Sequence, residues 1–169
     1  NKGYTNTPVL GEYNVHEEEN VLEQQLSWAK KAGITFMTIQ WGGYGNVDTL
    51  MWRYNDLYNA DQEIPKIVLK YDVAHLTTKN HLDNEEQMNK FIMEFDSLST
   101  HLFPKDSYFK LNNKPMVIFT GYTANNGAAK SWKGVMEKLH ASMKEKGHTE
   151  MWTIGEIDGG GWTSPERWN

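Results

Sequence analysis

Residues 34–43 read ITFMTIQWGG. The run follows Gly33, which closes a helical pattern. It carries apolar and β-branched residues from Ile34 to Ile39 and then breaks into Gln40, Trp41 and two glycines. This is the pattern of a buried parallel strand that ends at a site. A continuous apolar run, in place of strict alternation, is expected when helices cover both faces of a strand. Polar and aromatic residues at strand ends are where such folds hold ligands.

Upstream, residues 1–15 are an irregular lead-in punctuated by Pro8 and Gly11, with Glu12 and Tyr13 standing before the first helix. That helix is expected over 17–32, with Val21, Leu22, Leu26, Ala29 and Ala32 on one face, Lys30 and Lys31 in its last turn, and Asn14 with Glu17 as a capping box. Downstream, GGYGN lacks the spacing of a phosphate-cradling loop. A short helix over 49–59 is followed by Pro65 and a strand over 66–71, KIVLKY, ending in Asp72. The strongest helical periodicity covers 84–102, with Asp83 and Glu86 as a second capping box. Residues 108–114 form an extended segment and an Asn-Asn turn leading into a strand over 116–120, which Gly121 and Tyr122 close. A fourth helix over 128–146 stops at Gly147, and a strand over 151–154 ends in Gly155 and Glu156.

Strands starting at 34, 66, 116 and 151 therefore alternate with helices, which means a parallel sheet. The expected fold class is α/β: a single domain over 1–169 forming a partial (β/α)8 TIM-type barrel of about four parallel βα units. A closed barrel typically needs about 250 residues. The first strand and the C-terminal units are expected to be missing, so these residues should be part of a longer barrel. An isolated half would expose sheet edges and an apolar face, which the missing barrel half or another chain would cover.

Composition narrows the partners. The net charge of −5, with no large Lys/Arg cluster, leaves no field for a phosphate backbone, so nucleic acid is not expected. No run approaches the roughly 20 apolar residues of a membrane span. The absence of cysteine excludes disulfides, thiolate catalysis and Cys-type zinc sites. None of the 6 histidines falls at a familiar ligand spacing, so neither metal nor cofactor is expected. Aromatic content is 12%, and several rings stand in loops beside Gly and Asn, as Tyr44 does. Such rings suit the C–H faces of sugars, although any one of them could equally be core filler.

In a parallel barrel the carboxyl ends of all strands converge on one face. Gln40 and Trp41, Asp72, Tyr122 and Glu156 would then surround one mouth. Two carboxylates there, Asp72 and Glu156, are the pair that acid/base or nucleophilic glycoside hydrolysis requires. Gln40, Trp41, Tyr44, Tyr122 and Trp162 would bind the substrate, and the glycines at 159–161 would let Trp162 close over Glu156. Structural alternatives stand beside these roles: Asp72 as a turn cap, Asp48 as the N-cap of the second helix, and Glu12 as solvated surface.

The segment GEYNVHEEENVLEQQLSWAKKAGITFMTIQWGG, residues 11–43, resembles the P-x-x-G-x-Y, acidic helix, W-A-K-x-A-G-I and S-W-W-G succession of glycoside hydrolase family 99 and related glycan-processing barrels. YFKLNNKPMVIF, residues 108–119, is similar to that family's Y-x-x-x-x-G-K-P-V-V segment. The resemblance spans about half of the chain. It implies a (β/α)8 barrel that cleaves α-mannosidic or related polysaccharide linkages internally with retention, in a periplasmic, cell-surface or secreted setting. It also implies a sugar-contacting role for Trp41, and places Asp72 where the family has Glu. Asn113 replaces the usual Gly, which demands a positive φ at Asn. The family's catalytic W-N-E-W-x-E motif is absent, so the catalytic glutamate pair is expected beyond these residues. The alternative function is a non-catalytic glycan-binding or degenerate barrel.

Overall fold

The computed structural model describes residues 19–43, 46–73, 81–120 and 131–155. In chain order they form α1 (Glu19–Lys31), β1 (Phe36–Trp41), α2 (Asn46–Ala60), β2 (Lys66–Asp72), α3 (Glu85–His101), β3 (Lys110–Leu111), β4 (Lys114–Thr120), α4 (Trp132–Glu145) and β5 (Trp152–Gly155). A short 3-10 turn, His81–Asp83, precedes α3.

The helix ends follow from local chemistry. α1 and α4 both end in a Schellman motif. Gly33 (φ 72°) and Gly147 (φ 77°) take the left-handed position that a Cβ would disfavour. The amide of Ile34 then bonds the Ala29 carbonyl at 3.0 Å, and that of His148 bonds Met143 at 3.0 Å. Capping of α3 differs by one residue from the expected box: Asn84, not Asp83, is the N-cap, and its side chain accepts from the Gln87 amide at 3.2 Å. Asn84 and Gln87 satisfy the same cap-to-third-position spacing as Asp83 and Glu86, so sequence spacing alone could not separate them. α2 begins at Asn46, earlier than expected, which places Asp48 inside the first turn instead of at the cap. α4 starts at Trp132, later than expected, where Ser131 Oγ accepts from the Gly134 amide at 3.2 Å.

Four strands run parallel in the order β1-β2-β4-β5, and β3 pairs antiparallel with the start of β4. The β3–β4 hairpin turns on Asn112 (φ 52°) and Asn113 (φ 63°), the two positive φ values of a type I′ turn. Below the point where β2 and β4 pair, the chain at 107–109 wedges between them. Ile67 donates to the Ser107 carbonyl at 2.9 Å, and Phe109 donates to the Ile67 carbonyl at 2.8 Å. The fully buried Tyr108 hydroxyl completes the join, accepting from the Leu69 amide at 3.1 Å and donating to the Met116 carbonyl at 2.8 Å.

All four described helices pack on one face of the sheet. Leu22 and Leu26 of α1, Tyr54 of α2, Phe91 and Phe95 of α3, and Leu139 of α4 share one core with Ile67, Leu69, Tyr71, Val117 and Phe119. This corrects the expectation of helices on both faces. Burial along β1 alternates accordingly, with Met37 and Ile39 turned to the core and Phe36 and Thr38 exposed. One-sided helix cover on a parallel sheet is the arrangement of a (β/α) barrel wall, in which the other face is the interior. The fold is α/β and consistent with a partial barrel.

Candidate functional site

Register brings the carboxyl ends of the strands together. Trp41 is level with Tyr71, Tyr71 with Phe119, and Phe119 with Gly155, so all four parallel strands finish at one end of the sheet. Successive side chains on a strand point to opposite faces. The residues on the face away from the helices are therefore Thr38 and Gln40, Val68, Lys70 and Asp72, Met116, Ile118 and Thr120, and Trp152 and Ile154. Gln40, Lys70, Ile118 and Ile154 form one level, and Asp72 and Thr120 the next level towards the strand ends.

At the upper rim, Gln40 Nε2 donates to Asp72 Oδ2 at 2.7 Å, linking β1 to β2. Gln40 is exposed and Asp72 half-buried, so the pair faces solvent at the mouth. The bond fixes one carboxylate oxygen. Acceptors on the carboxylate and on the carboxamide then lie next to each other, the combination that binds adjacent hydroxyl groups. Sequence reasoning named this pair but missed Lys70 and Thr120, which stand on the same face. Counting every second residue back from Asp72, and pairing β4 with β2, would have found them.

Trp41 is not part of this face. The expectation of an exposed sugar platform is corrected: Trp41 is 0% exposed and packs on Tyr71 with ring centroids 5.2 Å apart, on the helix side. The reason is strand periodicity, since Gln40 and Trp41 are neighbours and must point in opposite directions. Its role is one of support. Tyr71 also meets Phe91 at 5.5 Å, Phe95 at 5.2 Å and Phe119 at 5.6 Å, and its hydroxyl donates to Glu94 at 2.6 Å. Each such ring pair contributes about 0.5–1.5 kcal/mol beyond its buried area. The backbone immediately before Asp72 is thereby anchored on the helix side of the sheet.

Tyr44, Tyr122, Glu156 and Trp162 lie outside the described residues. The positions that lead to two of them are placed: Thr120 is level with Asp72, and Gly155 with Phe119. Among the described residues no group of three or more His, Asp or Glu side chains could hold a metal ion, and no helix is long and apolar enough to cross a membrane.

A concavity of about 550 Å³ lies beside α4 at the edge of the sheet formed by β5, lined by Trp132, Met136, His140 and Thr153 on the helix side and reaching Ile154 at the strand edge. Burial lowers the pKa of His140, against an opposing influence from Glu150. Its Nε2 is buried without a hydrogen-bond partner among the described residues.

No family model and no curated protein matches the sequence. A solved chain described as a glycoside hydrolase-like protein superposes with a TM-score of 0.74 at 22% identity, over 90% of this chain and 47% of its own length. The present chain thus spans about half the length of that structure. The likeness establishes a glycoside hydrolase-like fold.

Proposed function

We propose that the chain is the glycan-contacting part of a glycoside hydrolase-like barrel acting on α-mannosidic or related polysaccharide linkages, similar to family 99 enzymes and exported or displayed at the cell surface. The observation that carries this reading is the Gln40–Asp72 hydrogen bond at the carboxyl-end rim of the face without helices. Ligands of (β/α) barrels bind at that end. Asp72 would accept hydrogen bonds from sugar hydroxyls while Gln40 holds the carboxylate in place. Retaining hydrolysis needs two carboxylates about 5–5.5 Å apart. Asp72 is one candidate; its mate would be Glu156 or a glutamate from barrel units beyond these 169 residues. Tyr44, Tyr122 and Trp162 remain the proposed aromatic contacts.

Calorimetric titration with α-mannose oligosaccharides tests the proposal. Binding by the parent chain, weakened about tenfold in Asp72→Ala and Gln40→Ala, supports it. Equal affinity in all three proteins would refute the site. A non-catalytic glycan-binding role is favoured if binding occurs without release of new reducing ends.

A further inference from the structure

Two residues before Asp72 on β2, on the same helix-free face, stands Lys70. A strand rises about 3.3 Å per residue, so the two side chains leave the backbone about 6–7 Å apart and in the same direction. Register sets Gln40 of β1 beside Lys70, and Thr120 of β4 beside Asp72. Gln40 spans the two levels, since its Nε2 donates to Asp72 at 2.7 Å from the level of Lys70. Lys70 and Asp72 are both half-buried, partly withdrawn from water without being sealed.

Two other lysines share the parity of this face, and both are engaged at its far end. Lys66, at the start of β2, lies over the Tyr58 ring at 5.6 Å. Lys114, at the start of β4, pairs with Glu150 and lies over the Trp152 ring at 5.3 Å. At the carboxyl-end levels, Lys70 is therefore the cation and Asp72 the anion among the described residues. The level of Lys70 continues across β4 and β5 as Ile118 and Ile154. One half of the mouth thus offers a donor and acceptors, and the other half offers aliphatic surface.

A bare anion would meet the charge of Asp72 and gain nothing from the isoleucines. A neutral sugar ring has a hydroxyl edge and a C–H face, and it fits both halves. Its hydroxyls need donors as well as acceptors. An ionised carboxylate and the Gln40 carbonyl oxygen only accept, whereas an ammonium only donates, through three N–H groups. Lys70 takes part in a further interaction within the fold, and three donors leave room for a ligand beside it.

We propose that Lys70 is a specificity-determining residue of the glycan site: it donates to the oxygen of a sugar hydroxyl whose own proton, or whose ring neighbour's, is given to Asp72. The pair selects a neutral ring with that hydroxyl unmodified, its hydroxyl edge over β1 and β2 and its C–H face over Ile118 and Ile154. The inference rests on the glycan reading of the rim.

Calorimetry with an α-mannose disaccharide and its singly deoxygenated analogues tests it. One analogue should bind the parent chain about tenfold more weakly than the intact sugar, the loss of one charge-assisted hydrogen bond. Lys70→Met keeps the aliphatic stem and removes the donors. It should bind the intact sugar about tenfold more weakly than the parent chain does, and should no longer distinguish that analogue from the intact sugar beyond about twofold. In Asp72→Ala, the penalty that disappears should belong to the same hydroxyl or its ring neighbour. Lys70→Gln, which also removes the charge and shortens the reach, should lose the same discrimination, and it decides the matter if Lys70→Met does not fold. Undiminished binding by the Lys70 variants, beside weakened binding by Asp72→Ala, overturns the inference and leaves the glycan reading standing. A deoxygenation penalty that persists unchanged in them overturns it too. Tighter binding of a uronic-acid analogue, with the gain lost in Lys70→Met, would assign Lys70 to an anionic group and overturn it as well. No binding by the parent chain overturns the inference and the glycan reading together.

Discussion

Replacing Tyr108 with Phe removes one oxygen atom and leaves two buried backbone groups without their partners. The ring stays. Its packing against Phe103, with centroids 4.9 Å apart, is kept, so the change isolates the hydroxyl. That hydroxyl accepts from the Leu69 amide and donates to the Met116 carbonyl at the point where β2 and β4 are pushed apart. Each stranded buried group costs about 1–3 kcal/mol. Since the two act at one site, the expected loss is about 2–4 kcal/mol, a large part of the 5–15 kcal/mol typical of a folded domain. Urea denaturation followed by circular dichroism measures it: the midpoint should fall while the slope m stays constant. A loss below about 0.5 kcal/mol, the size of an ordinary surface change, would refute the bridging role. The same hydroxyl gives a pH signature. Burial raises the Tyr108 pKa above its ordinary value near 10, and burial raises that of Tyr54 as well. A group whose folded pKa is raised contributes stability that is present below its unfolded pKa and is lost as pH rises above it. Stability should therefore decline above about pH 10, and Tyr108→Phe should decline less steeply.

Trp41→Ala should cost about 3–5 kcal/mol by thermal or urea unfolding, as expected for a buried core ring; a change under about 1 kcal/mol would show that the ring is not core. Asp72→Asn keeps the shape of a half-exposed side chain, so its unfolding midpoint should stay within about 2 °C of the parent's, while glycan titration registers the lost charge; a large stability loss would recast Asp72 as a structural residue. Asn113→Gly should stabilise the hairpin by a few tenths to about 1 kcal/mol, because position 113 has φ 63° and Asn-Gly is a preferred type I′ pair; destabilisation in urea would contradict the turn. Asp96 accepts from Lys146 Nζ at 2.6 Å and His148 Nε2 at 2.5 Å, and these bonds, Lys146 first, hold its carboxyl below the usual range. A depressed carboxylate contributes stability above its unfolded pKa and loses it as pH falls through the folded value, below about pH 4. Asp96→Asn should flatten the acid limb of a stability–pH profile in that window, and an unchanged limb would remove the clamp.

The order and kind of elements were legible in the chain because each has a local cause. Gly33 and Gly147 stop helices by accepting a positive φ, the Asn112-Asn113 pair turns a hairpin, and apolar runs between βα spacings mark parallel strands. Boundaries were less legible. Asn84 and Asp83 satisfy the same capping pattern, and only the backbone path selects one. The wedge at 107–109 had no signal either, since its hydrogen bonds join residues about 40 positions apart.

For the rim, sequence alone determined which residues end the strands: Gln40, Trp41 and Asp72 were all identifiable, and a parallel sheet necessarily puts such ends together. What it could not determine was which face receives the helices. That choice comes from packing the aromatic cluster around Tyr71 under α3, a contact between residues distant in the chain. Once it is made, a two-residue period sends Trp41 into the core and leaves Gln40 and Asp72 bonded to each other in the open, so tertiary contacts decide side by side which neighbour supports the site and which one forms it.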